Sequence, residues 1–303
     1  MGYRGRFAPT PSGPLHFGSI VAALGSWLDA RAHDGEWHVR IDDLDPPRVV
    51  PGAADAILGD LDRLTLWWDG PIVQQSTRSP AYAEALRRIE RQAHVYPCTC
   101  SRKEIAAAGL AGIEGPRYPG TCRERAGIPP EGHALRLDVR GVSIEFVDLL
   151  QGPVRQVLET AIGDFVLRRA DGVYAYHLAC VVDDAAEGFT HVVRGADLID
   201  STARQIHLQH LLGVDTPEYL HLPVAVDAAG DKLSKQTKAD AVDPTRPWDT
   251  LASALRFLGH ELPAELDSAP PAELLAWARS HWDRSRLPAT RSLPAAAFTV
   301  RRP

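Results

Sequence analysis

The chain has 303 residues, long for one compact domain and suited to a large domain carrying an insertion, or to two domains. With 45% hydrophobic and 24% charged residues, no long apolar run and no basic-then-apolar leader, it predicts neither a membrane span nor a secretory signal, and so a soluble, cytoplasmic protein. A net charge of −6 argues against a non-specific nucleic-acid binder, while leaving room for a partner docked on a local basic face.

In chain order, "YRGRFA" predicts a first strand. Pro9, Pro11, Gly13 and Pro14 then break the backbone, and Ile20, Val21, Leu24, Trp27 and Leu28 recur at helical spacing, so a rigid loop feeds a helix over about 18–33. His16, Gly18 and Ser19 stand where that helix exposes its unpaired N–H groups, a place suited to an anion. The same stretch also reads as a plain capped helix with a chance histidine, and no GK[ST] follows to make it a Walker loop. "EWHVRI" predicts a second strand, with Trp37, Val39 and Ile41 alternating with polar neighbours. "GAADAILGDLDRLT" predicts a helix, and "SPAYAEALRRIERQA" another with Ser79 as N-cap and Pro80 at its first position. Such strand–helix alternation is the pattern of a parallel sheet with helices on its faces.

From about 96 to 160 Gly and Pro multiply, and "HALRLDV" and "SIEFVDLL" read as short strands of an inserted part. Cys98, Cys100 and Cys122 fall close together there. In a chain with no export signal they predict a metal site rather than a disulfide; three thiolates suit zinc, and spacing leaves the fourth ligand open between His94, His133 and water. The parallel pattern is expected to resume at Asp164, with "HLACVVDD" an apolar strand that buries Cys180. "STARQIHLQHLLGV" predicts a helix and "YLHLPVAV" a late strand. A glycine turn then leads to Lys232, Ser234 and Lys235, a loop able to clamp a charged leaving group and equally readable as a solvated basic loop. Beyond about 246, helical runs predict a small C-terminal part on which Arg279, Arg284, Arg286, Arg291, Arg301 and Arg302 gather as a solvated face and tail.

The loop "LHFGS" at residues 15–19 and the loop "KLSKQ" at 232–236, taken together, resemble the HIGH and KMSKS signatures of the class I aminoacyl-tRNA synthetases. "RFAPTPSGPLHFGS", "RIDDLDPPR" and "VRGADLI" look like the glutamyl branch of that class, over about residues 4–240. About 60 residues follow "KLSKQ", too few for the anticodon-binding module of a full glutamyl-tRNA synthetase, and the chain therefore resembles the glutamyl-queuosine tRNA(Asp) synthetase family. The resemblance implies an α/β fold: a Rossmann-like class I catalytic domain in two halves, 1–95 and 160–245, a zinc-containing α+β insertion at 96–159, and a short helical part at 246–303. It implies activation of L-glutamate with ATP without tRNA, then transfer of glutamate to the queuosine at the wobble position of tRNA(Asp); the sequence leaves the oligomeric state open, with a monomer the default expectation. The alternatives are a truncated enzyme charging tRNA(Glu), and a non-catalytic RNA-binding relic that has no physical need of His16 and Lys235.

By the same resemblance, His16, Gly18, Ser19, Lys232, Ser234 and Lys235 are expected to hold ATP, with His16, Ser19 and Lys235 catalytic and Mg²⁺ carried on the nucleotide. Adenylate formation needs no protein nucleophile, so positioning and charge stabilisation carry it. Arg6, Phe7, Ala8, Pro9, Thr10, Asp42, Tyr176 and Arg194 match the glutamate site, with Arg6 and Arg194 on the carboxylates and Asp42 on the ammonium. The family usually has Glu where Asp42 stands, Ser at Thr10 and Asn at His177; the shorter Asp42 must approach closer, turn, or act through water. The zinc set implied is Cys98, Cys100, Tyr118 and Cys122.

Overall fold

The computed structural model describes residues 2–227, 229–232 and 246–298. Strand β1 (Arg4–Phe7) leads through the proline loop into helix α1 (Phe17–Ala32), and β2 (Glu36–Ile41) returns parallel to β1 with Arg6 opposite His38 and Phe7 opposite Val39. After α2 (Ala53–Arg63), the short β3 (Val73–Gln74) pairs parallel with the end of β2, and α3 (Ser79–Glu90) follows. Helix α3 has Arg78, not Ser79, at its N-cap, with no side-chain cap; Ser79 and Pro80 already lie in the first turn.

Between residues 95 and 168 the pairing turns antiparallel. Strands β4 (Val95–Cys98) and β7 (Ala134–Leu137) pair antiparallel. Between them lie α4 (Arg102–Ala107), whose Ser101 and Glu104 form a reciprocal capping box, and the tiny hairpin of β5 (Ala111–Gly112) and β6 (Gly115–Pro116). A longer hairpin, β8 (Ser143–Asp148) and β9 (Gly152–Val157), precedes α5 (Leu158–Ala161). Strand β10 (Phe165–Arg168), expected in the returning parallel half, instead pairs antiparallel with β7 and belongs to the insertion's sheet.

The run expected as an apolar strand around Cys180 is helix α6 (Tyr176–Ala186). Then come β11 (His191–Gly195), α7 (Ile199–Leu212) and β12 (Glu218–Leu222), the two strands parallel from His191 opposite Glu218 to Gly195 opposite Leu222. Pro223 breaks the late strand, and β13 (Val224–Val226) continues beyond it. The C-terminal part holds α8 (Pro247–Phe257) and α9 (Pro271–Ser280), and closes with β14 (Ser292–Pro294), parallel to β13. Among the described residues no helix is long and apolar enough to cross a membrane.

Strands β1 and β11 lie side by side, with Thr190 N–H donating to the Arg4 carbonyl at 2.9 Å at their start, so the β3-β2-β1 sheet and the β11-β12 pair stand in the order β3-β2-β1-β11-β12. The chain winds outward in both directions from β1 and β11. In an open α/β sheet that reversal leaves a crevice at the C-terminal strand ends. Alternate strand residues feed two cores: Val193, Leu220 and Leu222 pack with Ile20, Leu24 and Leu255 on one face, while Val192 and Tyr219 pack with Leu86, Val181 and Ile206 on the other. Gly25 lets α1 lie close on β12, since a Cβ there would stand 2.5 Å from the Leu222 Cδ1.

Arg279, Arg286 and Arg291 are exposed, as a solvated face requires, and Arg284 is half-buried. Arg284 reaches the fully buried Asp29 of α1, Arg279 caps the end of α1 through the Arg31 carbonyl and Asp34, and Arg291 meets Asp200. They tie the C-terminal part to the catalytic half. Arg301 and Arg302 lie outside the described residues.

Candidate active site

At the crossover, Phe7 ends β1 and the chain passes through Gly13, whose φ of +131° suits glycine, to His16. His16 is the N-cap of α1: its backbone is extended, and its Nδ1 accepts the Ser19 N–H at 3.2 Å. The imidazole thus satisfies one of the helix's exposed donors and is fixed in orientation by doing so. A cavity of about 840 Å³ opens here, lined by Arg6, Phe7, Ala8, Pro9, Thr10, His16, Gly18 and Ser19 from the first strand, loop and helix, and by Tyr176, Arg194, Asp197 and Lys232 from the second half. Lys232 pairs with Asp197 across this mouth. Ser234 and Lys235 lie outside the described residues.

Asp42 does not line this cavity. Its backbone N–H donates to the Pro9 carbonyl at 3.0 Å, and its carboxylate lies in a buried charged layer between the sheet and α6. Arg6 on β1 and Arg40 on β2 point to the face that α6 covers, and α6 presents two aspartates. Asp184 receives Arg6 at 3.2 and 3.3 Å and Arg40 at 2.6 Å; Arg40 Nε also donates to Asp42 Oδ1 at 2.8 Å, and the Cys180 thiol stands 3.8 Å from Asp42 Oδ2. Asp183, next along, takes Gln75, Arg78 and Tyr82. Burial pushes the Asp42 carboxyl up, with Arg40 and Arg6 opposing it. Asp184 is held below the usual carboxylate range because its two arginines outweigh the same burial.

Arg194, near the end of β11, is buried, and two of its nitrogens are committed. Nε donates to His221 Nε2 at 3.1 Å, and Nη2 donates to the Thr202 hydroxyl at 2.9 Å and to the Leu198 carbonyl at 3.4 Å. Nη1 is buried with no hydrogen-bond partner among the described residues. A buried guanidinium nitrogen without a partner is costly in a folded protein, and here it belongs to a residue of the cavity wall.

About the insertion's sheet the three cysteines converge, with ligand sulfurs all within 4.8 Å of one another. Cys100 Sγ stands 3.6 Å from Cys122 Sγ, too far for a disulfide, and all the cysteines are free. The Tyr118 hydroxyl stands 3.4 Å from Cys98 Sγ and 4.0 Å from Cys100 Sγ, and accepts the Cys122 N–H at 2.8 Å. Burial raises the Cys122 thiol, but hydrogen bonds from Thr99, Tyr118 and Cys100 outweigh it and bring it to about 6. His94 and His133 point elsewhere, to Asp138 and to backbone carbonyls.

The sequence pattern pointed to the residues of the cavity wall and missed those behind it: Arg40, Asp183, Asp184, Asp148, Thr202 and His221. The doublet Asp183–Asp184 inside "ACVVDDAA" was the available signal, since two adjacent acids amid apolar residues on one helix must find buried cations.

A crevice at a sheet crossover, with a histidine-capped helix on one side and Lys232 on the other, places the chain among the open α/β folds that bind ligands at their C-terminal strand ends. The chain belongs to the class I tRNA synthetases of the E and Q branch, whose catalytic-domain model matches residues 3–259. Within that class it is similar to proteins named glutamyl-Q tRNA(Asp) synthetase. The one from Aromatoleum aromaticum is 54% identical over 94% of this chain and 90% of its own length. Those from Dechloromonas aromatica and Pseudomonas aeruginosa are 55% and 52% identical, over 94% and 96% of this chain and 96% and 97% of their own lengths. Among solved structures, a glutamate tRNA ligase from Elizabethkingia meningosepticum shares the fold with a TM-score of 0.77 at 24% identity, covering 96% of this chain and 66% of that one.

Proposed function

We propose that the protein condenses L-glutamate with ATP to glutamyl-adenylate without tRNA, and then transfers the glutamyl group to queuosine in tRNA(Asp). The observation that carries this reading is the full-length similarity to proteins of that name, together with a cavity whose wall holds a buried arginine nitrogen without a partner. In the first step a glutamate α-carboxylate oxygen bonds to the α-phosphorus as the bond to the β-phosphate bridge breaks, and pyrophosphate leaves with the electron pair. Transfer then returns AMP as the leaving group.

The residues would divide the work by position. Arg194 binds a glutamate carboxylate, Arg6 adds positive potential from the floor, and Tyr176 walls the pocket. Asp42, buried behind the lining with Oδ1 on Arg40 and Oδ2 beside the Cys180 thiol, would favour the ammonium through its negative potential rather than by contact. The Gly18 backbone and the side chains of His16 and Ser19 would hold the phosphates at the α1 N-terminus, with Lys232, Ser234 and Lys235 from the second loop on the departing pyrophosphate and Mg²⁺ on the nucleotide.

Cys98, Cys100 and Cys122 fit a structural zinc ion, with Tyr118 at the fourth position. Zinc–sulfur bonds of about 2.3 Å in a tetrahedron set sulfurs about 3.8 Å apart, close to the Cys100–Cys122 separation of 3.6 Å. The ion would staple the insertion and take no part in the reaction.

Glutamate-dependent ATP–pyrophosphate exchange without tRNA, followed by transfer of labelled glutamate to tRNA(Asp) with and without queuosine and to tRNA(Glu), tests the reading. Label on queuosine-bearing tRNA(Asp) alone supports it. Label on tRNA(Glu) with tRNA-dependent exchange replaces it with a charging enzyme, and no adenylate with any amino acid leaves a non-catalytic relic.

A further inference from the structure

Arg194 is held by a buried chain of polar groups that begins in the insertion. Asp148 is the last residue of β8, and its Oδ2 stands 2.6 Å from His221 Nδ1 on β12, while Oδ1 accepts the His221 N–H at 3.2 Å. His221 Nε2 in turn accepts Arg194 Nε at 3.1 Å. Arg194 and His221 are paired in register across β11 and β12, so the sheet itself sets the two side chains next to each other. Both links of the chain, Asp148–His221 and His221–Arg194, are out of solvent: Asp148 is 2% exposed, His221 0% and Arg194 5%.

The donor and acceptor inventory admits one arrangement. A guanidinium can donate and not accept, so Nε2 must be the bare nitrogen and Nδ1 must carry the proton to Asp148. Burial pushes the imidazole down to about 4, with the Arg194 charge acting the same way against Asp148, so the ring is neutral. Asp148 is further fixed by the backbone N–H groups of Leu150 and Gln151 at 3.0 and 2.8 Å, and Gln151 Nε2 donates to the His221 carbonyl at 2.9 Å. The tip of the β8–β9 hairpin is thereby docked on β12, where Leu149 N–H also meets the Tyr219 carbonyl at 2.8 Å.

We infer that Asp148 and His221 are positioning residues for amino-acid selection: they pin the inner edge of the Arg194 guanidinium so that Nη1 alone is presented to the substrate carboxylate. With Nε on His221 and Nη2 on Thr202, the plane of the fork cannot rotate, and a carboxylate is accepted at one angle only. Without His221 the side chain regains rotation and its Nε becomes a second buried unpaired donor. The hairpin carrying Asp148 makes amino-acid affinity depend on the insertion, although that insertion supplies no lining residue to the cavity. This inference rests on the proposed role of Arg194.

The test is the KM for glutamate and for ATP in pyrophosphate exchange on the full chain. His221→Leu is expected to raise the glutamate KM about tenfold or more, leaving the ATP KM within twofold. His221→Gln, whose amide oxygen can reach the place of Nε2, is expected to recover most of that loss. Equal changes in both KM values, a fall in kcat alone, or a Gln variant no better than Leu would overturn the inference. If His221→Leu does not fold, Asp148→Asn is read in its place, with a threefold or greater rise in glutamate KM expected and no rise refuting the chain. Arg194→Ala in the same series separates the two ideas: an unchanged glutamate KM there sinks the role of Arg194 itself. A raised one, with His221→Leu at the parent value, sinks only the positioning chain.

Discussion

The layer beneath the cavity and the cysteine-bearing tip of the insertion are stabilised in opposite ways. Under the cavity, Arg6, Arg40, Asp42 and Asp184 sit inside a large apolar core, and every charge there has an opposite charge within hydrogen-bond reach. The tip has a core of four residues, Tyr96, Cys98, Tyr118 and Cys122, with Cys100, Ile105 and Ile128 against it. A core that small cannot by itself repay the entropy of ordering some 30 residues of loop, at about 1–2 kcal/mol each. The site's floor can therefore be built from charges because its packing is secure, whereas the tip has little packing and a cysteine cluster that could hold a metal ion.

The comparison breaks most visibly at Asp184. Asp184→Asn leaves the buried Arg6 guanidinium without its counter-charge and Arg40 with Asp42 alone, and is expected to cost about 3–5 kcal/mol, read as a drop in the urea midpoint. A midpoint at the parent value would mean the layer contributes nothing to stability.

Asp29 tests the same kind of site far from the cavity. Its buried carboxylate receives Tyr3, Trp282 and two nitrogens of Arg284, and these hold it below the usual range against burial. A carboxylate depressed in the folded state contributes fully above its unfolded value of about 3.9 and loses that contribution as pH falls through the folded one. Asp29→Asn is expected to cost about 3 kcal/mol at pH 7 and progressively less in acid. A loss that stays constant down to pH 2 contradicts the assignment.

The insertion should respond to a chelator where the cavity floor does not. Hydrogen exchange over residues 96–125 is expected to quicken first on treatment, with β1, β2 and α6 unchanged. Uniform protection with and without chelator would remove the metal from the account. The smallest effect belongs to Glu114, at the turn of the β5–β6 hairpin, which contacts Arg204 and Ser201 of α7. Glu114→Gln is expected to cost about 1 kcal/mol or less, since that carboxylate is partly exposed. A larger loss in thermal melts would show the tip latched to the catalytic half more firmly than its exposure allows.

What the sequence made legible follows from range. Strand β1, helix α1 and strand β2 were readable because their periods lie within a dozen residues, and the cavity wall was readable because two short motifs flank it. Helix α6 was misread because "HLACVVDD" is apolar on nearly every face and so shows neither period clearly; it is buried between the sheet and its helical neighbours. β10 was placed in the wrong sheet because pairing partners are set by topology, and nothing in "FVLR" distinguishes a parallel neighbour from an antiparallel one. The buried partners stayed hidden for the same reason. Arg40 and Asp184 are 144 residues apart, and Asp148 and His221 are 73 apart.

The pairing of β14 with β13 bears on when the enzyme comes into being. β13 is the strand from which the lysine loop departs, and its partner is Ser292–Pro294. On the ribosome, at about 5–20 residues per second, α1 and the first strands emerge long before that partner exists. The nucleotide crevice therefore has one margin unsupported until residue 294 clears the exit tunnel.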